Sequence, residues 1–425
     1  MAQLGDKVVL FGGNNGDNVF ADTWLWDNVN WSQVTRFGAL GSDGSPPART
    51  SAAMAYDPDT GQAVLFGGLT SSVTALADTW TFGLVTIPLP GRSFTFFEWT
   101  KLSLPVNPPA LTNLTMDYDV LSKTVILTGE IGGARQTWSF NPGSSTQATG
   151  WTQINIPGPA PTRAGTAMSK CGSAIQCTTT GGRISCVTVA SPTQMVLFGG
   201  GNSDHQHLNL DDTWNLRGTV GTFGWLGPAT TGVKPPARFG HRMAYYPAAN
   251  QVVMYGGSND DPTVLDTNSH LLDDTWNVDC TGGTLPPAWT EVSAAAGNAN
   301  QRSSHGLATG PNGLTVVLFG GFRELTTTDT GPTSDTFTWG KAVACVPSSG
   351  SEIVAGAEVN CLFTPAAGVS FKHWKAKGFD SETKRFATAS FRAEEHGPAS
   401  ITARWTDPAG EHEQTLDYTV VRKER

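Results

Sequence analysis

The chain is poor in charge. Only 15% of its 425 residues are Asp, Glu, Lys or Arg, and the balance is acidic, with 27 basic against 36 acidic side chains and a net charge of −9. A nucleic-acid partner is not expected, because phosphate binding needs a basic surface. No apolar run approaches the roughly 18 residues required to cross a bilayer as a helix, so no membrane insertion is expected. No long stretch carries the 3.6-residue apolar period, which excludes a helical fold. No pair among the six cysteines has the CxxC spacing of a zinc or redox site. No Ser-His-Asp set, phosphate loop or paired-carboxylate motif can be read. A signal peptide is also missing, since Met1 runs straight into the strand-like "KVVLFGG".

Glycine, proline and tryptophan are abundant instead, at 49, 26 and 14 residues. That profile fits many short strands joined by tight turns. The even cysteine count (Cys171, Cys177, Cys186, Cys280, Cys345 and Cys361) reads as disulfides, which implies an oxidising compartment and an extracellular or cell-surface location. Charge is uneven: about 12% of residues 1–342 are charged and about 25% of residues 343–425. A domain boundary near Lys341 follows, giving units 1–342 and 343–425.

The first unit repeats. Paired glycines recur at Gly12-Gly13, Gly67-Gly68, Gly199-Gly200, Gly256-Gly257 and Gly320-Gly321, each after an apolar strand, and "VILTGE" places Gly129 in the same role. An Arg with Met five residues later precedes most of them: Arg49/Met54, Arg163/Met168 and Arg238/Met243, with Arg302/Leu307 and Leu111/Met116 as variants. From that Met or Leu to the first Gly is 13 residues in four cases and 31 in the fourth repeat, where 18 residues are inserted between Ser169 and Met195. After the glycines comes Asp-Thr-Trp at Trp24, Trp80, Trp214 and Trp276, with "QTW" at Trp138 and "DTF" at Phe337. A second Trp follows at Trp31, Trp99, Trp151, Trp225 and Trp289. Each unit therefore reads as four strands. In "TSAAMAYD" alternation puts Ala52, Met54 and Tyr56 on one face and Ser51, Ala53 and Ala55 on the other, which suits a strand sandwiched between neighbouring sheets. Two Trp per unit supply the apolar area that fills the space between sheets. Periods of about 55 to 70 residues with four strands each imply sheets arranged radially, a β-propeller.

This order of landmarks resembles the kelch repeat, whose known fold is a propeller with one four-stranded blade per repeat. The likeness covers roughly residues 1–340 and departs from the pattern at Leu111, Gly129-Glu130 and Phe337. The expected fold is all-β: a six-bladed kelch-type propeller followed by a small β-sandwich resembling immunoglobulin-like domains. In the latter, strands such as "AEVNCLFT" and "ASITARWTD" alternate with Pro, Gly and Asp turns, and a Cys345–Cys361 bridge would pin the first two strands together.

In such a meander the 1-2 and 3-4 loops share one rim. The insertion with Cys171, Cys177 and Cys186 is a 1-2 loop of blade four, and Cys280 lies in a 3-4 loop of blade five. Cys280 is therefore expected to bridge to one cysteine of the insertion, leaving the other two to pair with each other. The opposite rim carries the 2-3 loops, of which "GNSDHQHLNLD" and "SNDDPTVLDTNSHLLD" are rich in Asp, Asn and His. Its candidate ligand-binding residues are Arg238, Arg302, Asp204, His205, His207, Asp260, Asp261 and His270, around a concave polar mouth suited to a sugar or an acidic group. The plainer and favoured account of the recurring Arg is bonding to the Asp of Asp-Thr-Trp or to carbonyls, and of His241 and His305 a structural role. No cofactor is expected. Calcium is the one ion that Asp260, Asp261 and Asp266 suggest, in a loop lacking the regular spacing and Gly of a calcium site.

A propeller followed by an immunoglobulin-like domain is also the layout of copper-radical oxidases similar to galactose oxidase. Their chemistry needs a tyrosine cross-linked to cysteine, a second tyrosine and two histidines, and no tyrosine here is followed by His. The favoured function is a non-catalytic secreted or cell-surface binding protein with a protein or glycan partner. The alternative is a carbohydrate-active enzyme, a mutarotase or lyase before an oxidase. Met1 aligns with Met54, Met116, Met168 and Met243, so the first repeat opens inside its inner strand. A short inner strand there, and a seam closed by "KAVACV" or completed by residues upstream of Met1, are expected; the upstream segment is the favoured account.

Overall fold

The computed structural model describes residues 1–35, 44–90, 92–143, 149–156, 162–171, 174–180, 183–189, 195–202, 209–218, 222–229, 232–259, 271–280, 288–292, 301–326, 329–340, 343–346, 351–363, 370–380, 383–385, 388–394, 396–407 and 410–421. Five four-stranded antiparallel meanders follow one another along the chain, and a sixth sheet follows them. Sheet one is Ala2–Leu4, Lys7–Asn14, Val19–Trp26 and Trp31–Gln33. Its inner strand is three residues long, short as expected. Sheets two to five open on Ala53–Asp57, Thr112–Asp119, Ala167–Lys170 and Arg242–Tyr246. The sixth builds on Gly306–Thr309, Val316–Thr326 and Asp329–Trp339. Each inner strand lies beside that of the next sheet, and Gly306–Thr309 lies beside Ala2–Leu4, so the sheets close into a ring. A closed ring of radial antiparallel sheets is a β-propeller.

The packing follows from the strand patterns. Second strands such as Gln62–Phe66 are buried on both faces, because each is covered by a neighbouring sheet. The inner strand of sheet two divides its faces as the alternation requires: Ala52, Met54 and Tyr56 pack with Val9 and Phe11 of sheet one, while Ala53 and Ala55 pack with Met116 and Val125 of sheet three. The glycine pairs have a steric cause. Gly256 and Gly257 sit at φ +61° and +104°, and a Cβ on Gly257 would lie 2.8 Å from the Phe239 carbonyl oxygen. The second glycine of a pair also stitches sheet to sheet: the N–H groups of Gly13, Gly200 and Gly257 donate to the carbonyls of Arg49, Arg238 and Arg302 at 2.8–2.9 Å.

The Asp-Thr-Trp triplet divides its labour. The Trp indole N–H donates to the Asp two residues earlier, at 2.7 Å for Trp24–Asp22, Trp80–Asp78 and Trp276–Asp274. The Thr hydroxyl accepts from the second Trp of the next sheet: Trp99 to Thr23 at 2.8 Å, Trp151 to Thr79 at 2.9 Å and Trp289 to Thr213 at 2.9 Å. Trp31 donates to Thr336 at 2.8 Å and thereby joins sheet one to sheet six. The same four indoles stand 5.0–5.5 Å, edge to face, from Phe11, Phe66, Phe198 and Phe319, each the residue before the glycine landmark of the preceding sheet.

A disulfide joins Cys171 to Cys280, tying the insertion in sheet four to the 3-4 side of sheet five across one rim. The insertion contains the hairpin Ala174–Thr180 and Arg183–Val189, in which Cys177 and Cys186 are cross-strand partners. The segment "KAVACV" does not close the ring: Val343–Val346 pairs with Glu358–Phe363 in the C-terminal unit. That unit has a three-stranded and a five-stranded sheet. They share one core, with Val359, Cys361 and Phe391 from the first and Trp374, Ile401 and Val420 from the second. A Cys345–Cys361 disulfide lies within the smaller sheet, between directly opposed residues.

Candidate functional site

The inner strands and glycine turns enclose a central cavity of about 900 Å³. One position of the repeat, four residues after the recurring Arg or, in sheet three, after Leu111, lines it in five sheets as Ala53, Thr115, Ala167, Arg242 and Gly306. Four are small and neutral, and Arg242 alone is charged. Toward the mouth the wall gains hydroxyl and amide groups from Asn14, Thr50, Ser51, Asn113 and Thr333.

Arg238 and Arg302 do not reach this space. Both are fully buried, and their guanidinium groups form two-pronged pairs with Asp274 (2.5 and 2.5 Å) and Asp335 (2.8 and 2.9 Å). Each also donates to the carbonyl of the landmark glycine, Gly256 or Gly320. Arg49 repeats the arrangement with Asp78 and Gly67, and Arg163 with Asp212 and Gly199. With their donors spent inside the repeat, Arg238 and Arg302 are structural ties between the inner strand and the Asp-Thr-Trp strand, not donors to a ligand. Sheet three, where Leu111 replaces the Arg and Glu130 the second glycine, substitutes another pair: Arg135 bonds Glu130 at 3.0 Å, and the Arg163 N–H donates to the Glu130 carboxylate. Asp204, His205, His207, Asp260, Asp261 and His270 lie outside the described residues.

These pairs set an acid limit. The bonds from Arg302 hold Asp335 down to about 2 from an ordinary 3.8, against the opposing effect of burial and with help from the Thr333 hydroxyl. Burial raises Asp78 and Asp212, but bonds from their arginines and tryptophans outweigh it, and both end below the usual carboxylate range. A carboxylate depressed by folding stabilises the fold above its unfolded pKa, and that stability is lost as pH falls through the folded value. The melting temperature should therefore fall from pH 4 to pH 2, and Asp335→Asn should show a shallower fall over that window in thermal melts.

His241 and His305 are buried, and burial first, with the neighbouring Arg charges second, holds both well below 6.5. They are neutral at pH 7. His241 packs edge to face on Phe198 and His305 on Tyr255, each at 5.6 Å. His305 faces the cavity, and neither of its ring nitrogens has a hydrogen-bond partner among the described residues.

No protein-family model matches the chain. Among curated proteins it is similar to a tRNA wybutosine-synthesizing protein 4 of Emericella nidulans, 38% identical over 81 residues. That stretch is 18% of this chain and 7% of the relative, so the match spans far less than two thirds of that protein's length. Among solved structures it is similar to YjhT at 15% identity and a TM-score of 0.45, covering 81% of this chain and 95% of that one. It is also similar to a Trypanosoma rangeli sialidase in complex with sialic acid, at 8% identity and a TM-score of 0.38 over 96% and 82% of the two chains.

Proposed function

We propose that residues 1–342 are a six-bladed kelch-type propeller and residues 343–425 an immunoglobulin-like sandwich, together forming an extracellular or cell-surface protein that binds a glycan without transforming it. The observation that carries this reading is the cavity: about 900 Å³, lined by apolar and aromatic side chains such as Phe11, Trp31 and Phe319 together with a few hydroxyl and amide groups. That is the size of a ligand pocket, with the sparse polar groups that orient a sugar. The compartment is supported by the Cys171–Cys280 and Cys345–Cys361 bridges, to which we add a Cys177–Cys186 bridge. Among the described residues no helix is long and apolar enough to cross a membrane. We further propose that Asp204, His205, His207, Asp260, Asp261 and His270 contact the outer part of the ligand.

A glycan array followed by calorimetry tests the reading. Binding is expected, with the bound sugar recovered unchanged and its anomers interconverting at the uncatalysed rate by NMR. Turnover would establish the enzymatic alternative. Replacing His205, His207 and Asp260 together by Ala should weaken binding about tenfold, about 1.4 kcal/mol; unchanged affinity would remove the rim loops from the site.

A further inference from the structure

Arg242 breaks two rules of this molecule at once. The four arginines at the conserved repeat position each hold an aspartate, yet among the described residues no carboxylate lies within ion-pair distance of Arg242. One of its N–H groups donates to the His241 carbonyl at 3.0 Å. Five such donors fan out from a guanidinium in a fixed fork, so most of this group's capacity is unspent. The other equivalent positions lining the cavity are Ala, Thr, Ala and Gly, so no requirement of the inner strand calls for an arginine here.

Its surroundings strengthen the point. Arg242 lies in the cavity wall with His305, whose ring is neutral and whose ring nitrogens are buried and unpartnered among the described residues. Ser304 and Thr115 bring hydroxyls to the same wall. Arg242 is partly exposed and lines the cavity, so its unspent donors are open to a ligand there, and an anion would supply the charge that no protein carboxylate provides among the described residues.

We propose that the cavity is an oxyanion site, in which Arg242 grips the carboxylate or phosphate of a sugar-sized ligand through two parallel N–H bonds. The inference rests on the cavity being the ligand site and adds the ligand's charge. A planar fork matches a two-oxygen acceptor, so lysine would be a poor substitute.

Calorimetry on the full chain with glucuronate, glucose 6-phosphate and glucose provides the test. At least one acidic sugar should bind ten times or more tighter than glucose, and whichever does so names the oxyanion. Arg242→Ala should abolish that preference, and Arg242→Lys should restore only part of it. Melting temperature separates ligand binding from architecture: Arg242→Ala should melt at or above the parent temperature, because it removes a cation that pairs with no carboxylate among the described residues. A loss of melting temperature as large as that from breaking one of the Arg–Asp pairs would make Arg242 structural and overturn the proposal. Equal affinity for glucose and the acids, unaltered in Arg242→Ala, would overturn it while leaving the glycan-binding function intact. No binding of any of the three, alongside a blank glycan array, would remove both.

Discussion

Asp274→Ala should destabilise the fold by about 3–5 kcal/mol, the usual cost of removing one partner from a buried ion pair. The size follows from what would be stranded. Arg238 is fully buried and divides its donors between Asp274, the Gly256 carbonyl and the Pro236 carbonyl. Without Asp274 the guanidinium keeps its charge in a place water does not reach. The Trp276 indole N–H, 2.7 Å from the same carboxylate, loses its acceptor as well. Damage should spread to the preceding sheet, because the Arg238 carbonyl accepts from Gly200 and the Arg238 N–H donates to the Leu210 carbonyl. Asp274→Asn should cost less, since a neutral acceptor remains for Trp276. Urea denaturation followed by tryptophan fluorescence reads both values. A cost below about 1 kcal/mol for the alanine variant would mean that the pair is an ordinary surface contact.

Much of this architecture was legible because a repeat states its physics several times. The glycine pairs mark the end of an apolar strand wherever they recur, and the alternation in "TSAAMAYD" marks a strand covered on both faces. Sorting loops by strand order put Cys171 and Cys280 on one rim before any coordinates did. Other features were hidden because spacing carries no direction. The Thr of Asp-Thr-Trp looked like a strand former, and its bond to a Trp some 75 residues later becomes visible only when neighbouring sheets are placed together. The recurring arginines allow two readings for a related reason: an Arg near a channel reads alike whether its head points into the channel or back at its own repeat, and the favoured reading, a bond to the Asp of Asp-Thr-Trp, is the one that Arg238 and Arg302 make. Sheet three hid its substitution, since Arg135 replaces the landmark arginine from a different strand. Arg242 could have been found. Aligning residues by the repeat sets it against Ala53, Thr115, Ala167 and Gly306, and a lone charge in a column of small residues is a departure that the repeat's own packing does not require.

The second large effect concerns ring closure. Trp151→Ala should cost about 3–5 kcal/mol, the range for deleting a large buried aromatic. Trp151 is 4% exposed, meets Phe140 of its own sheet at 4.9 Å and Phe66 of sheet two at 5.5 Å, and donates to Thr79 of sheet two. Its removal opens a cavity between sheets and leaves a buried hydroxyl without its donor. Trp151→Phe should retain most of the packing and lose about 1 kcal/mol for the hydrogen bond. Trp31 makes the same contacts between sheets one and six but is only partly buried, so Trp31→Ala should lose less in equilibrium denaturation. Its effect should differ in kind. Every other seam has covalent continuity with its neighbour, whereas this one joins residues 305 apart in sequence. Hydrogen exchange should show the inner strands Ala2–Leu4 and Gly306–Thr309 losing protection first in Trp31→Ala, with sheets two to five unaffected. Uniform loss across all six sheets would mean that the ring opens as one cooperative unit and that its closure is not a local weak point.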